Sequence, residues 1–201
     1  MPANLWGFNM GVKGLEITRR GSLLGLVAGA SALMLPSPAK ADSTAQADAL
    51  RSIDLVRHDG SKFKLESVQG KVVVAAIWGA FCSVCRAEVP QLMQLQQRMG
   101  EQELGVVLLS HPLFWQEDYA AAQRLGLAEH AATASMDEDF DKLAIAFGLQ
   151  GTSLEVPQSL LYARAQPQGT LSPVAHKMGN VNWQSGEMLN RLRRDTLLAS
   201  N

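Results

Sequence analysis

Residues 72–99 decide the fold of this chain, and they read VVVAAIWGAFCSVCRAEVPQLMQLQQRM. The run at 72–78 has no polar interruption, which predicts a central strand that is buried on both faces. Apolar residues then recur at helical spacing, which predicts a helix over 82–99. Cys82 and Cys85 are the only cysteines of the 201-residue chain, and they lie where this strand passes into this helix.

A Cys-x-x-Cys pair at a helix start is suited to dithiol and disulfide chemistry. The helix N-terminus carries partial positive charge and unsatisfied N–H groups, which stabilise the thiolate of Cys82. Cys85 lies one turn deeper on the same face, and a disulfide needs Cα atoms about 4.4–6.8 Å apart. We therefore expect Cys82 to attack and Cys85 to resolve the mixed disulfide. The alternatives are an inert disulfide or two unrelated core cysteines, although a bridge across so short a loop stabilises little.

Outside this stretch, predicted strands alternate with predicted helices. The turn at residues 58–60, His-Asp-Gly, separates two short β segments and predicts a β-hairpin. Phe140, Leu143 and Phe147 are expected to form the buried face of one of the later helices. The alternation predicts a mixed α/β fold with three layers. Further strands are predicted at 104–110, 131–136, 158–163 and 174–178, and further helices at 116–125, 140–147 and 184–198.

Residues 78–90, WGAFCSVCRAEVP, resemble the active-site segment of the thioredoxin superfamily. The resemblance is closest to the exported TlpA/ResA-like thiol-disulfide oxidoreductases, which carry W-x-x-(aromatic)-C-x-x-C-(basic)-x-E-x-P. The order of the predicted elements over residues 52–198 fits the same group. The resemblance implies a thioredoxin fold, a three-layer α/β/α sandwich with an N-terminal β-hairpin extension. It also implies dithiol exchange with protein partners.

The resemblance also assigns substrate-binding residues. Val156-Pro157 precedes a predicted strand, where the family has a cis-proline loop that faces the dithiol. We therefore expect Pro157 to be cis and Val156 to offer backbone groups to an extended substrate, by β-augmentation. The alternative is an ordinary trans turn. Trp78 and Phe81 flank the cysteines and are candidates for substrate contact, with packing as the alternative.

Glu88 matches the acid that tunes the dithiol in this group. A nearby carboxylate would raise the pKa of a thiol and accept its proton, so Glu88 is a candidate catalytic residue. The alternative is an exposed acid that favours the start of the helix. Ala76 stands where many thioredoxins have a buried proton-accepting acid, which leaves Glu88 as the better candidate here. Residues 151–155 lengthen the approach to Pro157, which is expected to reshape the groove.

The N-terminal residues have the composition of an export signal. Lys13, Arg19 and Arg20 precede an apolar segment at 23–35, and residues 39–41, Ala-Lys-Ala, fit an A-x-A cleavage site. The arginine pair resembles a twin-arginine signal. The apolar segment is short for a helix that must span a hydrocarbon core of about 30 Å, although an uncleaved anchor remains the alternative.

These features predict three regions along the chain. Residues 1–41 are expected to be a cleaved, twin-arginine-like signal peptide, and residues 42–50 a flexible leader. Residues 51–201 are expected to form one thioredoxin-like domain. The expected location is the periplasm, reached by the Tat route or another, where a lone cysteine pair persists as a disulfide.

The resulting hypothesis is an exported thiol-disulfide oxidoreductase that exchanges a Cys82–Cys85 disulfide or dithiol with protein substrates. The resemblance favours a reductase, acting on apocytochrome c or on copper-site cysteines and re-reduced by a membrane electron donor. A periplasmic dithiol oxidase would run the same chemistry backwards. A non-enzymatic copper or zinc carrier would use the two thiolates as ligands. A peroxide-reducing relative is disfavoured, because no supporting arginine and threonine surround Cys82.

Composition narrows the remaining classes of function. The formal net charge is −1 and no basic stripe is present, so we expect no nucleic-acid partner. The four histidines are scattered and none forms a pair at metal-ligand spacing, so we expect no fixed metal site. No phosphate-binding glycine loop or serine-nucleophile elbow is found in the expected mature chain, so we expect no cofactor. We also expect the protein to be a monomer.

Overall fold

The computed structural model of the protein describes residues 43–149, 153–164, 166 and 169–198. Its centre is a mixed sheet of seven strands in the order β2-β1-β5-β4-β3-β6-β7. The central strands β3, β4 and β5 are parallel, whereas the pairs β3–β6, β6–β7, β1–β2 and β1–β5 are antiparallel. The strands are β1 (Leu55–Val56), β2 (Lys62–Phe63), β3 (Val72–Ile77), β4 (Leu104–Ser110), β5 (Ala131–Ala134), β6 (Gln158–Arg164) and β7 (Leu171–Met178).

Five α-helices accompany the sheet within the described ranges. They are α1 (Ser43–Ser52), α2 (Ser83–Met99), α3 (Trp115–Arg124), α4 (Phe140–Phe147) and α5 (Gly186–Leu198). The start of α4 is fixed by Asp139, whose carboxylate accepts hydrogen bonds from the backbone N–H groups of Asp141 and Lys142. Gly148 ends α4 in the left-handed conformation, with φ +63°. None of these helices combines the length and the apolar character needed to cross a bilayer.

Two hydrophobic cores lie on opposite faces of the sheet. Alternate residues of β3 point to each face, so the whole strand is buried, as its uninterrupted apolar run predicts. One core packs Val72 and Val74 against α2, α3 and α5. The other packs Val73 and Ala75 against α1 and α4. The predicted three-layer α/β/α sandwich and its N-terminal hairpin, β1–β2, are therefore confirmed.

The predicted flexible leader at 42–50 is wrong from Ser43 onward, where the chain forms α1. Ala47 and Leu50 of this helix are fully buried in the second core. The small, polar composition of the segment conceals their spacing of three residues, which places both side chains on one helical face. The folded domain therefore includes residues assigned to the leader, whereas the predicted signal peptide at 1–41 lies outside the described residues.

Phe140 is also misplaced by the sequence pattern. It is 65% exposed, whereas Leu143 and Phe147 are buried as expected. Helical spacing predicts the direction in which a side chain points, but it does not predict how far along the axis the packing partner extends. Phe140 is the first residue of α4, and the buried residues of this helix begin only at Leu143.

Candidate active site

The two cysteines lie at the turn that connects β3 to α2. Cys82 is the N-cap of α2, with extended backbone angles, and its Sγ accepts a hydrogen bond from the backbone N–H of Cys85 at 3.0 Å. The parallel pairing continues past β3, since the N–H of Trp78 donates to the carbonyl of Leu109. The turn thus places the Cys82 sulfur at the positive end of the α2 dipole.

The cysteines differ in accessibility and are joined by a disulfide. Cys85 is fully buried, while Cys82 is partly exposed. Their Cα atoms are 5.3 Å apart, within the usual range for a bridge. Only the Cys82 side of this disulfide faces an incoming thiol. In this geometry the N–H of Cys85 points at Cys82 Sγ, a placement that favours the thiolate form of Cys82.

The loop before β6 lies against the Cys82 sulfur. The Val156-Pro157 peptide bond is cis, as the resemblance implies. The carbonyl oxygen of Val156 is 3.9 Å from Cys82 Sγ, so the backbone of this loop and the sulfur share one surface. Pro157 is buried and Val156 is half-buried. A polypeptide whose sulfur reached Cys82 would meet the backbone of this loop.

Glu88 is one turn beyond Cys85 in α2 and is buried, with 4% of its surface exposed. The predicted alternative of an exposed acid at the helix start is therefore wrong. Its Oε1 accepts a hydrogen bond from the indole Nε1 of Trp183 at 2.7 Å. Glu88 and Cys85 also line the same cavity of about 10 Å³, close to the space that one water molecule needs.

Burial raises the pKa of Glu88 above its ordinary value of 4.5. The hydrogen bond from Trp183 favours the charged form and opposes this effect in part. Glu88 therefore takes up protons at a higher pH than an exposed glutamate. Trp183 has no role in the sequence prediction. A buried indole usually needs an acceptor for its N–H, and the Glu88 carboxylate is that acceptor here, but the sequence alone does not identify the pair.

The two aromatic candidates occupy different environments. Trp78 is 1% exposed and lines the cavity beside Cys85, so it packs beneath the site. Its burial removes it from contact with a docked substrate, and the packing alternative applies. Phe81 is 60% exposed and makes an edge-to-face contact with Phe114, with ring centroids 5.3 Å apart. Of the two, Phe81 is the residue that a substrate can touch.

Asp118 is a buried residue of the site that sequence reasoning missed. It lies on α3 with 1% of its surface exposed, and its Oδ1 accepts a hydrogen bond from the backbone N–H of Ala80 at 2.6 Å. Ala80 is two residues before Cys82, so this contact holds the approach to the cysteine turn. Burial raises the pKa of Asp118, and the bond from Ala80 opposes the rise. Its helical spacing from the buried Ala121 and Ala122 was an available signal.

The free energy of unfolding of Asp118→Asn is expected to increase relative to that of wild type as pH rises. Because the pKa is raised by folding, the folded state holds a proton that the unfolded chain releases, and wild-type stability falls as pH increases through this window. Asparagine keeps an oxygen acceptor for Ala80 and does not ionise. At a pH above both pKa values, the variant is expected to exceed wild type in unfolding free energy by about 1.4 kcal/mol for each unit by which the folded and unfolded pKa values of Asp118 differ.

Urea unfolding of variant and wild type at about pH 4 and about pH 8 measures the stability difference between them at each pH. The lower pH lies near the ordinary aspartate pKa. Asp141→Asn, at an exposed position on α4, is the matched control and should show no such trend. A difference between Asp118→Asn and wild type that stays constant with pH contradicts the expectation.

The sequence matches the Redoxin family model over residues 40–154. No curated protein matches the chain significantly. Three solved structures illustrate its likeness in fold. They are the thioredoxin domain of a thiol-disulfide oxidoreductase from Bacteroides vulgatus (TM-score 0.52, 19% identity, 71% of this chain and 91% of that chain), a thiol:disulfide interchange protein of the thioredoxin family from Chlorobium tepidum (0.51, 20%, 72% and 92%), and a thiol:disulfide interchange protein from a Bacteroides species (0.50, 22%, 71% and 84%).

These structures share the thioredoxin fold with this chain. The family match covers more than half of the chain and includes β3, the cysteine turn and α2. A Cys-x-x-Cys pair at this turn of this fold carries thiol-disulfide exchange. The chain therefore belongs to the Redoxin family, as a thioredoxin-like thiol-disulfide oxidoreductase.

Proposed function

We propose that this protein is an exported reductase of protein disulfides, acting in the periplasm on substrates such as apocytochrome c or copper-site cysteines. One observation carries the proposal: a partly exposed sulfur at a helix start lies 3.9 Å from the backbone carbonyl of a cis-proline loop. This places a nucleophile beside a strand-like surface, which suits an extended polypeptide. The residues at 1–41 support export through their signal-like composition.

The reaction begins with the reduced protein. The thiolate of Cys82 attacks one sulfur of a substrate disulfide, and that S–S bond breaks as a Cys82–substrate disulfide forms. The second substrate sulfur leaves as a thiolate and takes up a proton. The Cys85 thiol then gives its proton to the Glu88 carboxylate and attacks Cys82 Sγ. The substrate sulfur displaced from Cys82 leaves as a thiolate and takes up a proton from solvent, and Glu88 later releases its own proton to solvent. The substrate thus leaves as a dithiol, and Cys82–Cys85 becomes the disulfide that is seen here.

Each catalytic cycle transfers two electrons to the substrate, so the protein needs a source of electrons. We infer a membrane electron donor that reduces the Cys82–Cys85 disulfide through the partly exposed Cys82 sulfur. The thiol:disulfide interchange activity named for the relatives from Chlorobium tepidum and Bacteroides fits this exchange chemistry. The reducing direction follows the resemblance to TlpA/ResA-like proteins, most of which reduce their substrates.

Trapping of mixed disulfides tests the proposal. A Cys85→Ser variant keeps the attacking sulfur and loses the resolving one, so it should accumulate covalent adducts with its protein substrates. A Cys82→Ser variant and the double variant are the matched controls and should yield none. Mass spectrometry of the adducts identifies the substrates, and a titration against glutathione gives the direction. Equal trapping by both single variants, or none by Cys85→Ser, contradicts the proposal.

A further inference from the structure

The side chain of Gln158 occupies a buried position directly behind the cis-proline loop. Gln158 is the first residue of β6 and follows Pro157 in the chain, and only 1% of its surface is exposed. Parts of the chain that are far apart in sequence meet at this side chain. They are α1, the end of α4, the segment before Pro157 and β7.

The amide group of Gln158 has a partner for each of its hydrogen-bonding positions. Its Nε2 donates to the carbonyl of Glu155 at 2.6 Å and to that of Phe147 at 3.2 Å. Its Oε1 accepts from Gln46 Nε2 of α1 at 2.9 Å. The same oxygen lies 3.3 Å from His176 Nε2 of β7, which donates when that nitrogen carries the proton. Both donor positions and one acceptor position of the amide are thus used, and the second acceptor position is used in the tautomer that protonates His176 Nε2.

The space around this amide requires a glycine at position 148. A Cβ built on Gly148 would lie 2.7 Å from Gln46 Nε2 and 3.0 Å from Gln158 Oε1. The backbone of Gly148 also has φ +63°, a value that residues other than glycine seldom adopt. The short Cβ distances show that Gly148 closely encloses the amide groups of Gln46 and Gln158. The enclosure leaves Gln158 little freedom to turn away from Glu155.

We infer that Gln158 is a positioning residue for substrate binding, and that Gln46 of α1 holds it in place. Through Glu155, Gln158 fixes the backbone that leads into Val156, the residue whose carbonyl lies beside Cys82 Sγ. A loop fixed before binding avoids the ordering cost that binding would otherwise carry. This inference rests on the proposed function, in which a protein substrate meets this loop. It gives α1 a part in recognition that is separate from the chemistry of the cysteines.

Gln158→Met tests the inference, because methionine has a similar length and makes no amide hydrogen bonds. The assay follows the reduction of insulin disulfides by the protein, with dithiothreitol as the electron source. We expect the KM for insulin to rise about tenfold, which corresponds to roughly 1.4 kcal/mol. The kcat for insulin and the exchange rate with 2-hydroxyethyl disulfide should stay within a factor of about two, because neither depends on docking a polypeptide. Gln46→Met should shift KM in the same direction by a smaller factor.

Tyr162→Phe is the matched control. The Tyr162 hydroxyl donates to the carbonyl of Ala47 at 3.2 Å, so this variant also removes a buried bond between α1 and β6. It has no link to Glu155 and should leave KM unchanged. If Gln158→Met does not fold, Gln46→Met provides the same comparison. The inference is overturned if Gln158→Met has the same KM for insulin as Tyr162→Phe. It is also overturned if Gln158→Met loses as much activity with the small disulfide as with insulin. Wild-type protein that exchanges with the small disulfide and not with insulin would instead overturn the proposed function.

Discussion

Replacing Cys82 by serine is expected to abolish catalysed disulfide exchange, leaving only the rate of the uncatalysed reaction between substrate and external thiol. Cys82 is the partly exposed sulfur, and it accepts the N–H of Cys85 at 3.0 Å at the start of α2. These features favour its thiolate, which is the reactive form. A serine hydroxyl at the same place does not ionise at neutral pH and forms no mixed disulfide. Turnover of insulin by wild type and variant measures the loss.

Alkylation of the reduced protein provides the second readout. Cys85 is fully buried, so iodoacetamide at neutral pH should modify Cys82 rapidly and Cys85 only slowly. Peptide mapping after timed exposure separates the two reactions. In Cys85→Ser, the rate of Cys82 modification should persist, because this substitution leaves the helix start intact. Faster modification of Cys85 than of Cys82, or a Cys82 no more reactive than free cysteine, contradicts the assignment of the attacking sulfur.

The sequence is most informative where one periodicity or one motif determines the structure. The strand predicted at 104–110 is β4, with the same bounds, because a strand covered by helices on both faces is apolar throughout. The cysteine turn and the cis bond before Pro157 are local features with local signatures, and both are present. A hairpin turn such as His-Asp-Gly at 58–60 also acts over a few residues, and β1 pairs with β2 across it.

The contacts that sequence reasoning missed are polar, buried and distant along the chain. Glu88 meets Trp183, which is 95 residues away, and Gln46 meets Gln158 across 112 residues. Hydrophobic periodicity identifies which face of an element is buried, but it does not identify which polar groups pair inside. The same limitation applies to Asp118, whose partner is a backbone N–H and therefore has no sequence signature. Such pairs require the fold before they can be recognised.

Glu88→Gln is expected to slow the release of substrate from the mixed disulfide by about 10²-fold at neutral pH, the lower range for loss of a general base. Cys85 attacks as a thiolate, and Glu88 is the buried carboxylate that lines the same small cavity. Glutamine keeps an oxygen for the Trp183 indole and cannot accept the proton. The first step, attack by Cys82 on the substrate, should keep its wild-type rate.

The pH dependence distinguishes proton transfer from a packing effect. In wild type, release should slow as pH falls through the raised pKa of Glu88, because the protonated acid accepts nothing. In Glu88→Gln this dependence should disappear, leaving only the rise at higher pH that follows ionisation of the Cys85 thiol. Stopped-flow measurement of release from a preformed mixed disulfide records both profiles. Glu101→Gln, an exposed position just beyond α2, is the control and should keep the wild-type profile.

The same substitution should increase stability while it decreases activity. Folding raises the pKa of Glu88, so wild-type stability falls as pH rises from the ordinary glutamate range, near 4.5, through the raised value. The variant has no such loss and should unfold at higher urea concentration than wild type at neutral pH, with the difference shrinking on acidification. A buried acid that lowers stability at the pH where the protein works is expected at a site selected for proton transfer. Lower stability of Glu88→Gln at neutral pH, together with an unchanged release profile, would assign Glu88 a structural role through Trp183 alone.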